Sequence, residues 1–424
     1  MKFLLILLLT LSLPLAALAA PPPLVGLARI DSLRGVLARH PAADTARVKL
    51  LLAIGTGYPE LQSDSGLHYA AAAERLARRL RWPRGVAGAL LCAASSHTTQ
   101  SNNTTALRLA QQAARLYWKL GDKRAYSRAL RGQSNVLYFQ GSFTRQLEVA
   151  RQGLAVCERL GDSVGIAGWY QIHGLGYVGL GLPQKGLGFL RRSLSIYQRR
   201  KLPRQVGHLL LNIGLAYQKL GNPTRALGYY AQALPLIRQA QSFLGMQSVF
   251  IAMATSYTSL RRYDEALAAA DSCYRISKRL RFNRGLAGTF VAKGDVYRLR
   301  VADTAWYQRH PVNQATTLAA AIGFYQQALG ISTGDAANLE IWRRTYQGLY
   351  QTYHLLGRDR EALAAYVRYT AVQDSVFSRE AATQLATTEA DAALALKDRE
   401  IKLGHLTVRR QQERQGYLLA GLAL

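Results

Sequence analysis

Acidic side chains are scarce in this chain. Twenty-five Asp and Glu face 54 Lys and Arg across 424 residues, a formal net charge of +29. No two carboxylates fall on one helical face in its regular part in a way that suits acid–base catalysis. Cysteine is rarer still. Cys92, Cys157 and Cys273 lie far apart within helical patterns, whereas an exported protein stapled by disulfides carries an even, clustered set. Neither a structural disulfide nor a metal site is expected: C-x-x-C does not occur, and the eight His show no ligand spacing with Cys or acids. The P-loop, HExxH and kinase catalytic signatures are missing too, and no nucleophile elbow is expected. No cofactor is implied, and a binding role is favoured over an enzymatic one.

Helical repetition is what the chain has in abundance. Residues 207–239 (GHLLLNIGLAYQKLGNPTRALGYYAQALPLIRQ) read as two amphipathic helices. Leu210, Ile213, Gly214, Tyr217 and Leu220 recur at helical spacing in the first; Ala226, Leu227, Tyr230, Ala233, Leu234 and Ile237 do so in the second. Gly221-Asn222-Pro223 separates them, because Gly accepts a left-handed cap and Pro cannot continue the ladder. Gly214, Ala226 and Ala233 allow close crossing, and Tyr217 and Tyr230 fill the space beside them. Taking Ala226 as marker, equivalent positions are Gly66, Ala106, Gln146, Gly186, Ala266, Ala321 and Ala362. Five successive steps of 40 residues are followed by steps of 55 and 41. A hairpin that cannot bury its own apolar faces must stack on copies of itself.

These residues resemble the tetratricopeptide repeat. Gly174/Tyr177, Gly214/Tyr217 and Gly294/Tyr297 match the small–aromatic pair of its first helix. Ala226/Tyr230/Ala233, Ala321/Tyr325/Ala328 and Ala362/Tyr366/Tyr369 match its second, with Tyr369 where a small residue is usual. Cys273 also stands at a small position, as a buried small hydrophobe, and Gln146 departs from the pattern. The resemblance implies an all-α superhelical solenoid of about eight hairpins over 47–378, preceded by a linker and cap at 20–46. The usual period is about 34 residues. The roughly six extra are expected after each second helix, in 119–125, 159–165 and 199–205, lengthening that helix and its exit loop. One unit is stretched by an insertion at about 299–318, where Asp303, Trp306, Tyr307, His310 and Pro311 are expected on a lengthened helix end and a protruding loop that could take a ligand.

The two ends of the chain differ from this middle. Residues 1–19 have Lys2, an apolar run and Ala17-Leu18-Ala19, the pattern of a secretory signal peptide, so genomic DNA is not an expected partner. Leu394, Ile401 and Val408, seven apart, suggest a helix over 379–415 with a short heptad seam and a possible homodimer. Residues 416–424 are apolar, too short to span a bilayer that takes roughly 20 residues, and read as the start of a membrane helix. Arg409, Arg410 and Arg414 before it run against the positive-inside tendency. In this order of parts the chain resembles the sensory ectodomain of membrane-bound bacterial regulators, in which a histidine kinase core or DNA-binding domain follows the span. His405 lacks the neighbours of a phospho-accepting histidine. An exported adaptor without a transmitter and an enzyme accessory domain are the alternatives.

The resemblance places the first helix of each hairpin on a concave wall. Candidate groove residues are Arg128, Arg131, Asn135, Tyr138, Gln171, His208, Asn212, Gln218, Lys219, Asp295, Arg298, Arg344, Gln347, Gln351 and His354; Trp306, Tyr307 and His310 add the insertion. The family often holds peptide backbone with an Asn at the position of Asn212, and Arg forks suit carboxylates. The expected partner is a protein or peptide, acidic if the charge is functional; a polyanionic glycan or a membrane surface would suit the same charge.

Overall fold

The computed structural model describes residues 25–57, 63–100, 102–279, 282–310, 312–332 and 339–374. The expected signal peptide, the 379–415 helix and the apolar segment 416–424 lie outside the described residues.

One helix-and-turn unit generates the architecture. α1 (Val25–Ala38) is a cap, and α2 (Thr45–Gly57) opens the first hairpin. Then come α3 (Ser63–Arg79), α4 (Pro83–Thr99), α5 (Asn103–Lys119), α6 (Lys123–Phe139), α7 (Phe143–Arg159) and α8 (Ser163–Gly179). They continue with α9 (Pro183–Arg199), α10 (Pro203–Lys219), α11 (Pro223–Gln239), α12 (Phe243–Ser259) and α13 (Tyr263–Arg279). From α3 to α13 every helix has 17 residues and begins 20 after the one before. The hairpins therefore carry their extra length equally in both helices, and the turns after the second helices are as tight as those within hairpins. This corrects the expectation of a longer second helix and exit loop.

The turns at 80–82, 120–122, 140–142, 160–162, 180–182, 200–202, 220–222, 240–242 and 260–262 close by the same chemistry. The Gly121 N–H donates to the Trp118 carbonyl (3.0 Å) and the Asp122 N–H to the Tyr117 carbonyl (3.1 Å), the paired bonds of a Schellman stop. That stop needs a left-handed residue, and Gly121, Gly141, Gly161, Gly181 and Gly221 supply it at φ of 62–75°. Arg81, Lys201, Gln241 and Arg261 take the same conformation without being glycine. The next residue caps the following helix: the Ala125 N–H donates to Asp122 Oδ1 (3.0 Å), Gly165 to Asp162 (2.9 Å) and Arg225 to Asn222 (3.0 Å). Where the cap is poor, Pro83, Pro183 and Pro203 start the helix instead.

The helices stack as an all-α solenoid, with no strand among the described residues. Each helix packs on its chain neighbours, and the first helices also touch one another along the wall, α2 on α4 through to α12 on α14. Gly214 lies under the Tyr230 ring, and Ala226, Tyr230 and Ala233 are fully buried. Gly174 opposes Leu190 and the Gly186 carbonyl where α8 crosses α9. Gly153 of α7 leaves room for Trp169 of α8; a Cβ there would sit 2.0 Å from the indole. Trp169 Nε1 donates to Ser127 Oγ (3.1 Å), which lies 3.2 Å from Cys157 Sγ. All three cysteines are free and buried. Cys273 takes a hydrogen bond from Thr289 (3.0 Å), and burial pushes the Cys92 thiol up to about 12. Gln146, in a small residue's place, is buried with Oε1 unpartnered.

The regular spacing ends at α14. α14 (Asn283–Ala302) runs three residues longer, then α15 (Thr304–Arg309) precedes α16 (Gln314–Ile331). α17 (Leu339–Leu355) and α18, a helix over residues 359–374, complete the last hairpin. The insertion is docked rather than protruding. Asp303 caps α15 and accepts from Tyr263 Oη (3.0 Å) and Arg261 (3.3 Å). Trp306 meets Tyr263 edge-on at 5.8 Å beneath the Arg300 guanidinium.

Candidate functional site

The wall of first helices has a repeating register. Eight residues after each helix start stand Arg131, Gln171, Leu211, Ile251, Val291 and Gln347; twelve after stand Asn135, Leu175, Leu215, Thr255, Asp295 and Gln351. The same wall shows close contact between neighbours: a Cβ on Gly132 would meet Leu91, and one on Gly168 would approach the Arg131 guanidinium at 3.4 Å. The groove is therefore apolar at its middle, over α8, α10 and α12, and charged toward α6 at one end and α14–α17 at the other.

On α6, Arg128, Arg131 and Asn135 are exposed, and neither arginine forms an ion pair among the described residues. Arg128 and Arg131 are thus available cations. Tyr138 is different. It is half-buried and packs edge-on against Phe139 and Phe143, and burial pushes its hydroxyl up while the Arg284 charge partly opposes that.

In the middle, Gln171 and Asn212 are half-buried and Lys219 is exposed. Gln218 is not free, since it accepts from Tyr230 Oη (2.9 Å). His208 lies against Gly245, and burial followed by the charge of Arg204 holds its pKa below the usual imidazole range.

At the far end the solenoid gathers Asp295, Arg298 and Arg344. Arg344 donates to Asp295 Oδ2 (2.7 Å), Tyr325 Oη to Oδ1 (2.8 Å), and Arg298 stands 3.9 Å away. Burial and then the Asp295 charge raise the Tyr325 hydroxyl well above its ordinary value. The Arg298 Nε is buried without a partner. Gln347 and Gln351 flank this cluster half-buried, and His354 is exposed. Trp306, Tyr307 and His310 are elsewhere. Trp306 and His310 stack at 4.6 Å, and Tyr307 Oη donates to the Val312 carbonyl (3.2 Å); these contacts are internal to the insertion, which Asp303 and Trp306 hold onto the turn between α12 and α13.

One groove residue carries no sequence signal. Arg284, in the first turn of α14, places its guanidinium 5.6 Å from the Phe139 ring centroid on α6, 145 positions earlier in the chain. The superhelix thus returns on itself across the groove. Ile30 and Ile54 join the same contiguous apolar cluster as Leu209, Leu211 and Met246. Only the curvature of the stack brings such residues together.

Two motif spellings also need a structural reading. Gly161-Asp162-Ser163-Val164-Gly165 does spell G-x-S-x-G, so the pattern expected to be absent is present in the sequence. It is a helix–helix turn, with Gly161 left-handed, Asp162 as cap and Ser163 Oγ accepting from Arg200 (3.0 Å). A nucleophile elbow instead needs a strand before the helix. Gly174–Gly179 spells G-x-G-x-x-G within α8, where Gly176 and Gly179 face Leu147 and Phe143 rather than a phosphate. Among the described residues no group of His, Cys, Asp and Glu could hold a metal, and no helix is long and apolar enough to cross a membrane.

Comparison with known proteins supports this description. Residues 209–242 match the tetratricopeptide repeat family, the hairpin of α10 and α11. No curated protein matches the chain. Among solved structures, a Rap protein complexed with competence and sporulation factor is 13% identical, with a TM-score of 0.53, covering 84% of this chain and 100% of that one. The Rap conjugation gene regulator of plasmid pLS20, in complex with the Phr* peptide, is 10% identical, also at 0.53, covering 84% and 97%. Aspartyl phosphate phosphatase F from Bacillus subtilis is 13% identical at 0.49, covering 73% and 75%. At the identities of the two Rap proteins the likeness is one of fold.

Proposed function

We propose that this chain is an exported peptide- or protein-binding solenoid, serving as the extracytoplasmic sensory or scaffold domain of a membrane-bound signalling protein. The observation that supports it most is the wall of first helices, with Leu175, Leu215 and Ile251 at its middle and unpaired Arg128 and Arg131 on α6. An extended peptide suits that wall, its apolar side chains over the middle and an acidic residue toward α6. Guanidinium forks bind carboxylates bidentately, and such contacts are among the stronger hydrogen bonds. Of the two Rap neighbours, one is described in complex with the Phr* peptide and the other with competence and sporulation factor, and their fold is similar to this one.

Selection from a random nonapeptide pool on immobilised 20–424 tests the binding half. Enriched peptides are expected to combine apolar and acidic residues and to lose at least tenfold in affinity when Arg128 and Arg131 become Glu. Absence of enrichment, or indifference to those substitutions, refutes it. The extracytoplasmic half is tested by fusing alkaline phosphatase, active only after export, behind residue 374; an inactive fusion in intact cells refutes it. The second reading, an exported adaptor, rests on the same wall. It is separated by reading the gene beyond the codon for Leu424: a completed span and transmitter favour the sensor, a stop favours the adaptor.

A further inference from the structure

Arg284 stands in an environment that does not favour a cation. It occupies the first turn of α14, where the positive end of the helix dipole disfavours further positive charge. Its guanidinium lies over Phe139 and beside Tyr138, both on α6. Arg284 is half-buried, and burial lowers its pKa from the usual guanidinium value; the Tyr138 hydroxyl beside it is itself pushed up by burial and stays protonated, so it supplies no counter-charge at neutral pH. No carboxylate of the described residues pairs with it. A desolvated cation without a counter-charge is costly, and a cation–π contact restores only part of that, about 0.5–2 kcal/mol. Other partly buried cations of this solenoid have acids: Lys293 meets Asp271 at 2.5 Å, Arg344 meets Asp295, and Arg300 meets Asp264.

The geometry points to a carboxylate-binding position at Arg284, where the guanidinium of α14 faces the ring pair of α6 across the groove, the carboxylate being supplied by the bound peptide. The planar fork accepts one carboxylate through two parallel hydrogen bonds. Tyr138 Oη can donate a third. Asn135 and Arg131, one and two turns back along α6, extend the polar path away from it. The carboxylate can be a C-terminal one or an Asp or Glu side chain; the chemistry is shared. This inference rests on the groove being a peptide site, and it adds a defined contact to that reading.

The test uses residues 20–424 and three arms built on one apolar nonapeptide selected for binding, measured by fluorescence anisotropy at about 0.15 M salt to screen diffuse attraction to the cationic surface. The first arm has a free C-terminal carboxylate and no acidic side chain. The second is amidated and carries one Glu; the third is amidated and carries Gln instead. The wild type is expected to bind the first or second at least tenfold more tightly than the third, and which one identifies the source. Arg284→Gln should abolish that preference and leave affinity for the third arm unchanged. Arg145→Gln, on the exposed side of α7, should keep it. Because Gln removes an uncompensated cation, Arg284→Gln should melt no lower than the wild type. If it fails to fold, Arg284→Lys, which keeps charge but not the fork, must still reduce the preference several-fold. Equal binding of all arms, or a preference that survives both substitutions, overturns the Arg284 site while leaving the groove reading intact. Failure of every arm overturns both.

Discussion

Gly153→Ala is the substitution whose sign tests the packing account most sharply. Gly153 sits inside α7 with ordinary helical geometry. An exposed helical glycine would gain about 1 kcal/mol on becoming alanine. Here the new methyl would lie 2.0 and 2.1 Å from Trp169 Cζ2 and Cε2, distances no side chain tolerates. The indole cannot withdraw cheaply: it is 2% exposed, rigid, and tied to Ser127 through Nε1 at 3.1 Å. Overpacking of this kind costs about 1–3 kcal/mol, and loss of the indole hydrogen bond adds about 1. Subtracting the helix-propensity gain leaves a net destabilisation of about 1–3 kcal/mol at α7–α8. In a stack where each unit contacts only its neighbours, hydrogen exchange resolved over 143–179 is a better readout than one global transition. Protection there should fall roughly tenfold or more while 223–259 is unchanged. The equivalent of Trp169 is Leu209 in the next hairpin, opposite Ser193, so Gly153→Ala with Trp169→Leu should recover most of the loss. A neutral or stabilising Gly153→Ala, or strict additivity in the double variant, would refute the argument.

Other outcomes follow from the turns and the titrating groups. Gln241→Gly should raise the melting temperature slightly, because Gln241 holds φ at 54° where a non-glycine residue is strained, whereas Gly221→Ala at φ 71° should lower it by about 1 kcal/mol equivalent; the reverse order would show the turns are not the strained positions. Asp303→Ala removes the α15 cap and the acceptor for Tyr263 and Arg261, so limited proteolysis should begin within 303–313 at a cost of about 1–2 kcal/mol; unchanged protease resistance would mean the insertion is held by Trp306 alone. His173 is buried, its Nδ1–H directed to the Trp169 carbonyl (2.9 Å) and its ring stacked on Phe189, and burial lowers the pKa of His97, His173 and His208 alike. Their contribution is present above the unfolded value of about 6.5 and is lost as pH falls through the lower folded values, so the melting temperature should decline below about pH 6.5; a flat profile down to pH 5 would contradict it.

The marker spacing and the Gly-Asn-Pro punctuation made the hairpins legible, because a helix boundary is a local event written in a few residues. Where the extra length went was not legible. Leu120-Gly121-Asp122 and Leu220-Gly221-Asn222 carry the same stop whichever helix precedes them, and only the equality of all the helices reveals that both grew. The groove was legible in part. Arg128, Arg131 and Asn135 could be placed by register alone, but Gln218 and Asp295 are recruited by tyrosines of the paired second helix, which the register of the first cannot disclose. Arg284 could not be found at all from spacing, since its neighbours Tyr138 and Phe139 are fixed by the accumulated rotation of four hairpins. The insertion misled because its length suggested a loop, while Asp303 and Trp306 had partners, Tyr263 and Arg261, forty residues upstream.

The twenty-residue helix unit also sets the terms on which such a chain can change length. Loss or gain of one unit would turn every later inward-facing helix outward, presenting Leu215 and Ile251 to solvent and burying exposed arginines. Loss or gain of two leaves every face where it was. Growth in this lineage is therefore confined to steps of forty, unless an addition is absorbed at a turn. The largest departure from that step obeys the exception: it lies between α14 and α16, where a short capped helix takes up the surplus and returns the chain to its place in the stack.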